Sequence, residues 1–172
     1  LGNRTDLFDP GVGVPEVIGR PLTSLLNEIE EPLAIDAPAD TWAAGVGPLT
    51  HFSGSGLFEC GPDYDPESLA VRHGLALGPN FVFAFFEIDD DSLVFRDPTL
   101  LSLDANDQTR MTIQRNNGEI LRYLLTAQAP GRLSVYLMRE NWRDVVDGEA
   151  LRDIAGTLDP LPSGFAVKLR IP

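Results

Sequence analysis

Thr109-Arg110-Met111-Thr112-Ile113-Gln114-Arg115, then Asn116-Asn117-Gly118, then Glu119-Ile120-Leu121-Arg122-Tyr123-Leu124-Leu125-Thr126-Ala127-Gln128 reads as strand, turn, strand. Glycine at 118 can take the left-handed position of a three-residue hairpin loop. That loop sets Met111 opposite Tyr123, Ile113 opposite Leu121 and Arg115 opposite Glu119. A two-residue Asn-Gly loop would instead set Ile113 opposite Arg122 and mix the faces, so the first register is expected. Ala129-Pro130-Gly131 turns the chain again, and Leu133, Val135 and Leu137 carry the apolar face into a third strand. The opposite face of this meander presents Arg110, Arg122, Arg132, Tyr136 and Met138 among threonines and glutamines. Arginine, tyrosine and methionine together are typical of a protein interface.

The strands on either side extend the β pattern. Leu75-Ala76-Leu77 and Phe81-Val82-Phe83-Ala84-Phe85-Phe86-Glu87-Ile88 are aromatic and β-branched, and Phe81–Phe86 has no polar face. A strand of that kind must be covered on both sides. Leu93-Val94-Phe95 predicts another short strand. At the C-terminus Gly164–Ile171 alternates strictly, with Phe165, Val167, Leu169 and Ile171 inward and Lys168 and Arg170 outward. If this strand joins the meander's sheet, Lys168 and Arg170 extend its basic face.

Upstream the chain is punctuated by eight prolines within residues 1–66, so regular sheet cannot run far there. Residues 1–20 read as an extended arm whose Leu7, Phe8, Val12, Val14, Val17 and Ile18 make it too apolar for a free tail. Between Pro21 and Pro32 the spacing of Leu22, Leu25, Leu26 and Ile29 predicts a short amphipathic helix. Residues 32–74 read as loop-rich, with short strands around 49–52 and 56–59. A second short helix is expected over 150–155, capped by Asp147 and stopped by Gly156, followed by a rigid Asp159–Gly164 connection. The expected architecture is mainly β: one antiparallel β-sandwich or barrel-like domain over 21–172, with its β core at 75–139 and 164–171, one or two short helices and an N-terminal arm.

The 172 residues carry a formal charge of −13, and the charge is unevenly spread. Residues 1–50 hold 8 acidic and 2 basic side chains, residues 51–108 hold 11 and 2, and residues 109–172 hold 7 and 9, so −15 faces +2. Such asymmetry marks a surface that meets a partner or another copy of the chain. No apolar run reaches the length of a membrane span, and the acidic balance disfavours nucleic acid and anionic lipid.

Catalytic patterns are sparse. His51-Phe52-Ser53-Gly54-Ser55-Gly56 lacks the glycine that a nucleophile elbow places two residues before its serine. There is no phosphate-binding loop, dinucleotide fingerprint or His-Glu-x-x-His. Cys60 is the only cysteine, which excludes an intrachain disulfide and a thiolate metal cluster. Asp89, Asp90 and Asp91 supply hard oxygens at a strand end and make Ca²⁺ the metal candidate, without the twelve-residue loop pattern that would specify it. The leading expectation is a non-enzymatic structural protein of a virion or extracellular surface assembly. It would oligomerise or decorate a larger particle through its arm and basic β face. One alternative is a secreted β-sandwich module binding carbohydrate on Trp42, Trp142, Tyr64 or Tyr136, with calcium. The other is a hydrolase using paired carboxylates or the His51 region.

Overall fold

The structure is a computed structural model that describes residues 16–18, 26–51, 58–60, 69–99, 106–139, 145 and 148–172. Elements in chain order are β1 (Glu16–Ile18), β2 (Asn27–Glu28), α1 (Ala39–Gly45), β3 (Thr50–His51), β4 (Phe58–Cys60), β5 (Leu69–Leu77) and β6 (Val82–Asp90). They continue as β7 (Gln108–Gln114), β8 (Ile120–Ala129), β9 (Arg132–Met138), β10 (Ala155–Leu161) and β11 (Gly164–Ile171). The protein is mainly β, a sandwich of a six-stranded and a three-stranded sheet. The larger sheet runs β10-β11-β6-β5-β2, with β3 also on the outer edge of β5, and the smaller is the meander β7-β8-β9. β1 and β4 form a separate two-stranded ladder.

Strand β6 carries the architecture. Its Ala84, Phe86 and Ile88 face the meander and join Phe165, Val167, Leu169 and Ile171 of β11 against Tyr123, Leu125 and Val135. Its Phe83 and Phe85 point the other way, into a second core with Trp42, Val46, Ala76 and Ala166 under α1. The uninterrupted Phe81–Phe86 run is thus covered on both sides, as its lack of a polar face requires. Trp42 is fully buried, edge-on to Phe83 at 5.7 Å, and its Nε1 donates to the Ala34 carbonyl at 2.7 Å. Gly74 lets α1's layer close on β5, since a Cβ there would lie 2.5 Å from Val46 Cγ2.

The hairpin β7–β8 has the expected register, with Met111 opposite Tyr123 and Ile113 opposite Leu121. Arg115 N–H donates to the Glu119 carbonyl at 2.8 Å and Gly118 has φ 86°. The β8–β9 turn is a two-residue loop, Pro130-Gly131, with Gly131 at φ 74°. Proline followed by a left-handed glycine suits a type II turn, whose twist matches poorly with a hairpin, and the register shift between Ala127 and Ala129 takes up the mismatch.

Several expectations fail. Residues 26–31 are not helical: Asn27 and Glu28 pair in parallel with Ala76 and Leu77, and Ile29 N–H donates to the Leu77 carbonyl at 2.9 Å. An open edge on β5 outweighs a helix too short to hold itself together. The helix expected over 150–155 is absent, and residues 155–161 form edge strand β10 paired along its length with β11. Pro160 is tolerated because it lies in that edge strand. Leu93–Phe95 forms no strand. β5 starts six residues before Leu75, and α1 lies in a stretch read as loop. The arm lies outside the described residues except for Glu16–Ile18, as does the start of the Pro21–Pro32 segment.

Candidate functional site

The meander's outer face is only partly open. Leu124, Tyr136 and Met138 are buried there beneath Val145 and Ala150, and Met138 and Val145 form an isolated β-bridge. Arg96, from the connection after β6, lays its guanidinium over the Tyr136 ring at 5.3 Å and donates to the Tyr136 hydroxyl. Tyr136 and Met138, expected as contacts for a partner, are therefore covered by the chain itself. Arg96 is the residue that sequence reading missed, and nothing in its surroundings signals the ring it covers.

The rest of that face remains accessible. Arg110 and Arg132 are exposed, as are Thr112 and Gln114, and Arg122 is half-buried opposite Thr112 and Met138. Ile120 is 45% exposed, and Arg139 stands exposed just past β9. Arg115 forms an ion pair with Glu119 at 3.1 Å on the turn. Among the described residues, Arg122, Arg132 and Arg139 have no ion-pair partner.

Lys168 and Arg170 do not extend this face. Strand β11 belongs to the larger sheet, and both side chains point toward the α1 layer, away from the meander. Lys168 is 2% exposed, with its Nζ 2.7 Å from Asp159 Oδ2 and donating to the Ala37 carbonyl at 2.7 Å. Arg170 lies over the Phe81 ring at 4.9 Å. Alternation showed correctly that these residues face away from the inter-sheet core. It could not show that a third layer covers that side.

The outside of that third layer has the opposite charge. Residues 26–51 contain Glu28, Glu30, Glu31, Asp36 and Asp40, all exposed, and no lysine or arginine. Their apolar neighbours Ile29, Leu33, Ile35 and Ala37 pack inward on Trp42 and Phe83. The molecule thus stacks an acidic layer, the larger sheet and the meander, with arginines on the far side.

The aspartate run does not gather into a metal site. Successive strand residues point to opposite faces. The Asp89 carboxylate accepts from the Ser163 hydroxyl, while Asp90 Oδ1 accepts from Ser92 N–H at 2.9 Å. Asp91 is exposed past the strand end. Asp97 caps its own turn through Thr99 N–H and Oγ1, which hold its carboxyl below the ordinary range. Among the described residues, no three His, Cys, Asp or Glu side chains converge as ligands.

Two concavities lie at one end of the sandwich. A cleft of about 350 Å³ opens between the sheets, walled by Leu69, Val71, Phe86, Ile88, Leu125 and Val167. A wider depression of about 1010 Å³ adjoins it, bounded by Asp89–Asp91 and by Pro160, Pro162, Ser163 and Gly164. Asp107 sits at the cleft, its Oδ2 accepting from Val94 N–H at 2.6 Å. Burial raises its carboxyl above the ordinary carboxylate range, and the charge of Asp90 adds to the effect.

The histidines are in two different settings. His51 is exposed on β3, whereas His73 is buried and stacked on Phe86 at 6.3 Å. Ser53, Ser55, Tyr64 and Trp142 lie outside the described residues. The burial of Trp42 and Tyr136 removes two of the four aromatics considered as carbohydrate platforms. Among the described residues, no helix is long and apolar enough to cross a membrane. No protein-family model, curated protein or solved structure matches the chain.

Proposed function

We propose that the domain is a structural module that assembles with copies of itself or within a larger particle, through the accessible basic part of the meander face. The supporting observation is the placement of charge on opposite sides of the layer stack: Glu30, Glu31, Asp36 and Asp40 on one side, Arg110, Arg122, Arg132 and Arg139 on the other. Unlike patches on different surfaces of one molecule make a head-to-tail contact, which closes into a ring or continues as a filament according to the rotation between copies. Charge complementarity sets the orientation of approach, and Ile120 with the neighbouring threonine and glutamine side chains supplies contact area. The arm, with Asp6, Asp9 and Glu16 against Arg4 and Arg20, adds a weakly acidic segment for the same basic surface.

Charge reversal tests this. Arg122→Glu with Arg132→Glu is expected to abolish the larger species seen by light scattering at low salt. Adding Glu30→Arg and Glu31→Arg to the same chain should restore them. A wild-type chain that stays monomeric at high concentration and low salt defeats the self-assembly reading.

A further inference from the structure

The inter-sheet cleft has a polarity that the assembly reading does not use. Its walls come from the inner faces of both sheets: Leu69 and Val71 of β5, Phe86 and Ile88 of β6, Leu125 of β8 and Val167 of β11. At about 350 Å³ it falls within the size range of small-molecule sites. The polar side chains at this apolar space are mostly acidic or neutral. Asp90 has the same strand parity as Phe86 and Ile88, so it faces the meander, and Thr109 shares the inner parity of Met111 and Ile113. Asp107 joins them from the connection before β7. Arg110 borders the cleft, but its side chain belongs to the meander's outer face by register. Among the described residues, neither Asp90 nor Asp107 has an ion-pair partner, and Asp107 is half-buried at the cleft.

A carboxylate partly withdrawn from water at the mouth of an apolar cleft, with no cation beside it, is stabilised by a positive charge placed next to it. We infer that the cleft binds a small cationic amphiphile, an aliphatic or aromatic amine, with its apolar body between Val71, Phe86 and Leu125 and its ammonium at Asp90 and Asp107. An anionic amphiphile of the same length would face two carboxylates and is excluded. A neutral one gains the apolar contacts alone.

Titration calorimetry with hexylammonium, hexanol and hexanoate, together with amide chemical-shift mapping, tests the site. Hexylammonium should bind at least about tenfold more tightly than hexanol, and hexanoate not detectably. Shifts should centre on Val71, Ile88, Thr109 and Leu125. Because the chain is acidic throughout, a control separates the cleft from general attraction: Asp107→Asn should weaken hexylammonium about tenfold, whereas Asp153→Asn, at an exposed carboxylate, should not. Leu125→Trp, which fills the cleft, should abolish binding, with circular dichroism and amide dispersion used to verify folding. Hexanoate or hexanol binding as tightly as the amine overturns the inference, as does equal weakening by the two Asp→Asn changes. So do shifts centred on Glu30 and Glu31, or no amine binding at all.

Discussion

At Lys168, the chain's only lysine is used to join layers. Its stem crosses the second core, and its ammonium links Asp159 of β10 to the Ala37 carbonyl just before α1. Lys168 is fully buried and Asp159 keeps 29% side-chain exposure, so the cost of desolvating the pair offsets much of its attraction and its net contribution is modest. Lys168→Met keeps the apolar stem but removes the charge and the donor to Ala37. Chemical denaturation should show a loss of about 1–3 kcal/mol, partly recovered in Lys168→Met with Asp159→Leu because no carboxylate is then left unpaired. A loss undiminished in the double variant would mean that the bond to the Ala37 carbonyl, not the pair with Asp159, sets the effect. His73 makes a second prediction at this scale. Burial against Phe86 lowers its pKa from 6.5, and a hydrogen bond with the Thr50 backbone offsets part of that. Below the unfolded value of 6.5 the unfolded chain binds a proton that the folded chain resists, so stability should fall as pH drops from about 7 toward the folded pKa. His73→Leu should flatten that slope relative to wild type in urea titrations across this window, and an unchanged slope would show that other groups set it.

At the scale of elements, legibility followed the strength of local patterns. The β7–β8 hairpin could be read to the residue because only one register separates Met111, Ile113, Leu121 and Tyr123 from Arg110 and Arg122, and Gly118 supplies the turn. The two-sided cover of β6 was equally legible from Phe81–Phe86. Failures came where a partner strand outweighed local preference. Leu25, Leu26 and Ile29 have helical spacing, but the open edge of β5 takes Asn27 and Glu28 into the sheet. The prolines of Asp159–Ser163 suggested a stiff connection, whereas an edge strand needs donors on one side only and accommodates Pro160. β5 was read too short because Arg72-His73-Gly74 looks like loop, and only the structure shows Arg72 paired across the strands with Glu87 and Gly74 admitting Val46. The site was less legible still. Strand parity placed Arg110, Arg122 and Arg132 on one face correctly, but no local rule could show that Val145, Ala150 and Arg96 cover Tyr136 and Met138, or that β11 faces a third layer.

For the whole molecule, the charge of −13 has two opposed effects. Within one copy it is self-repulsion, which disfavours the compact state and is relieved by salt. Between copies it is a polarised attraction, because the excess negative charge includes Glu28–Asp40 on one side while the open arginines of the meander lie on the other. Salt weakens that attraction too, since the Debye length falls below about 5 Å near 0.5 M. The two effects therefore move different observables in different directions. Raising NaCl from low ionic strength to about 0.5 M should hold or raise the thermal midpoint of the dilute monomer. Over the same range, sedimentation velocity at high protein concentration should show the larger species dissolving. Contacts made chiefly by apolar surface such as Ile120 would instead strengthen or persist as salt is added. Assemblies that survive about 0.5 M NaCl would move the interface away from the charged faces and onto apolar area, and would overturn the head-to-tail electrostatic arrangement even if oligomers form.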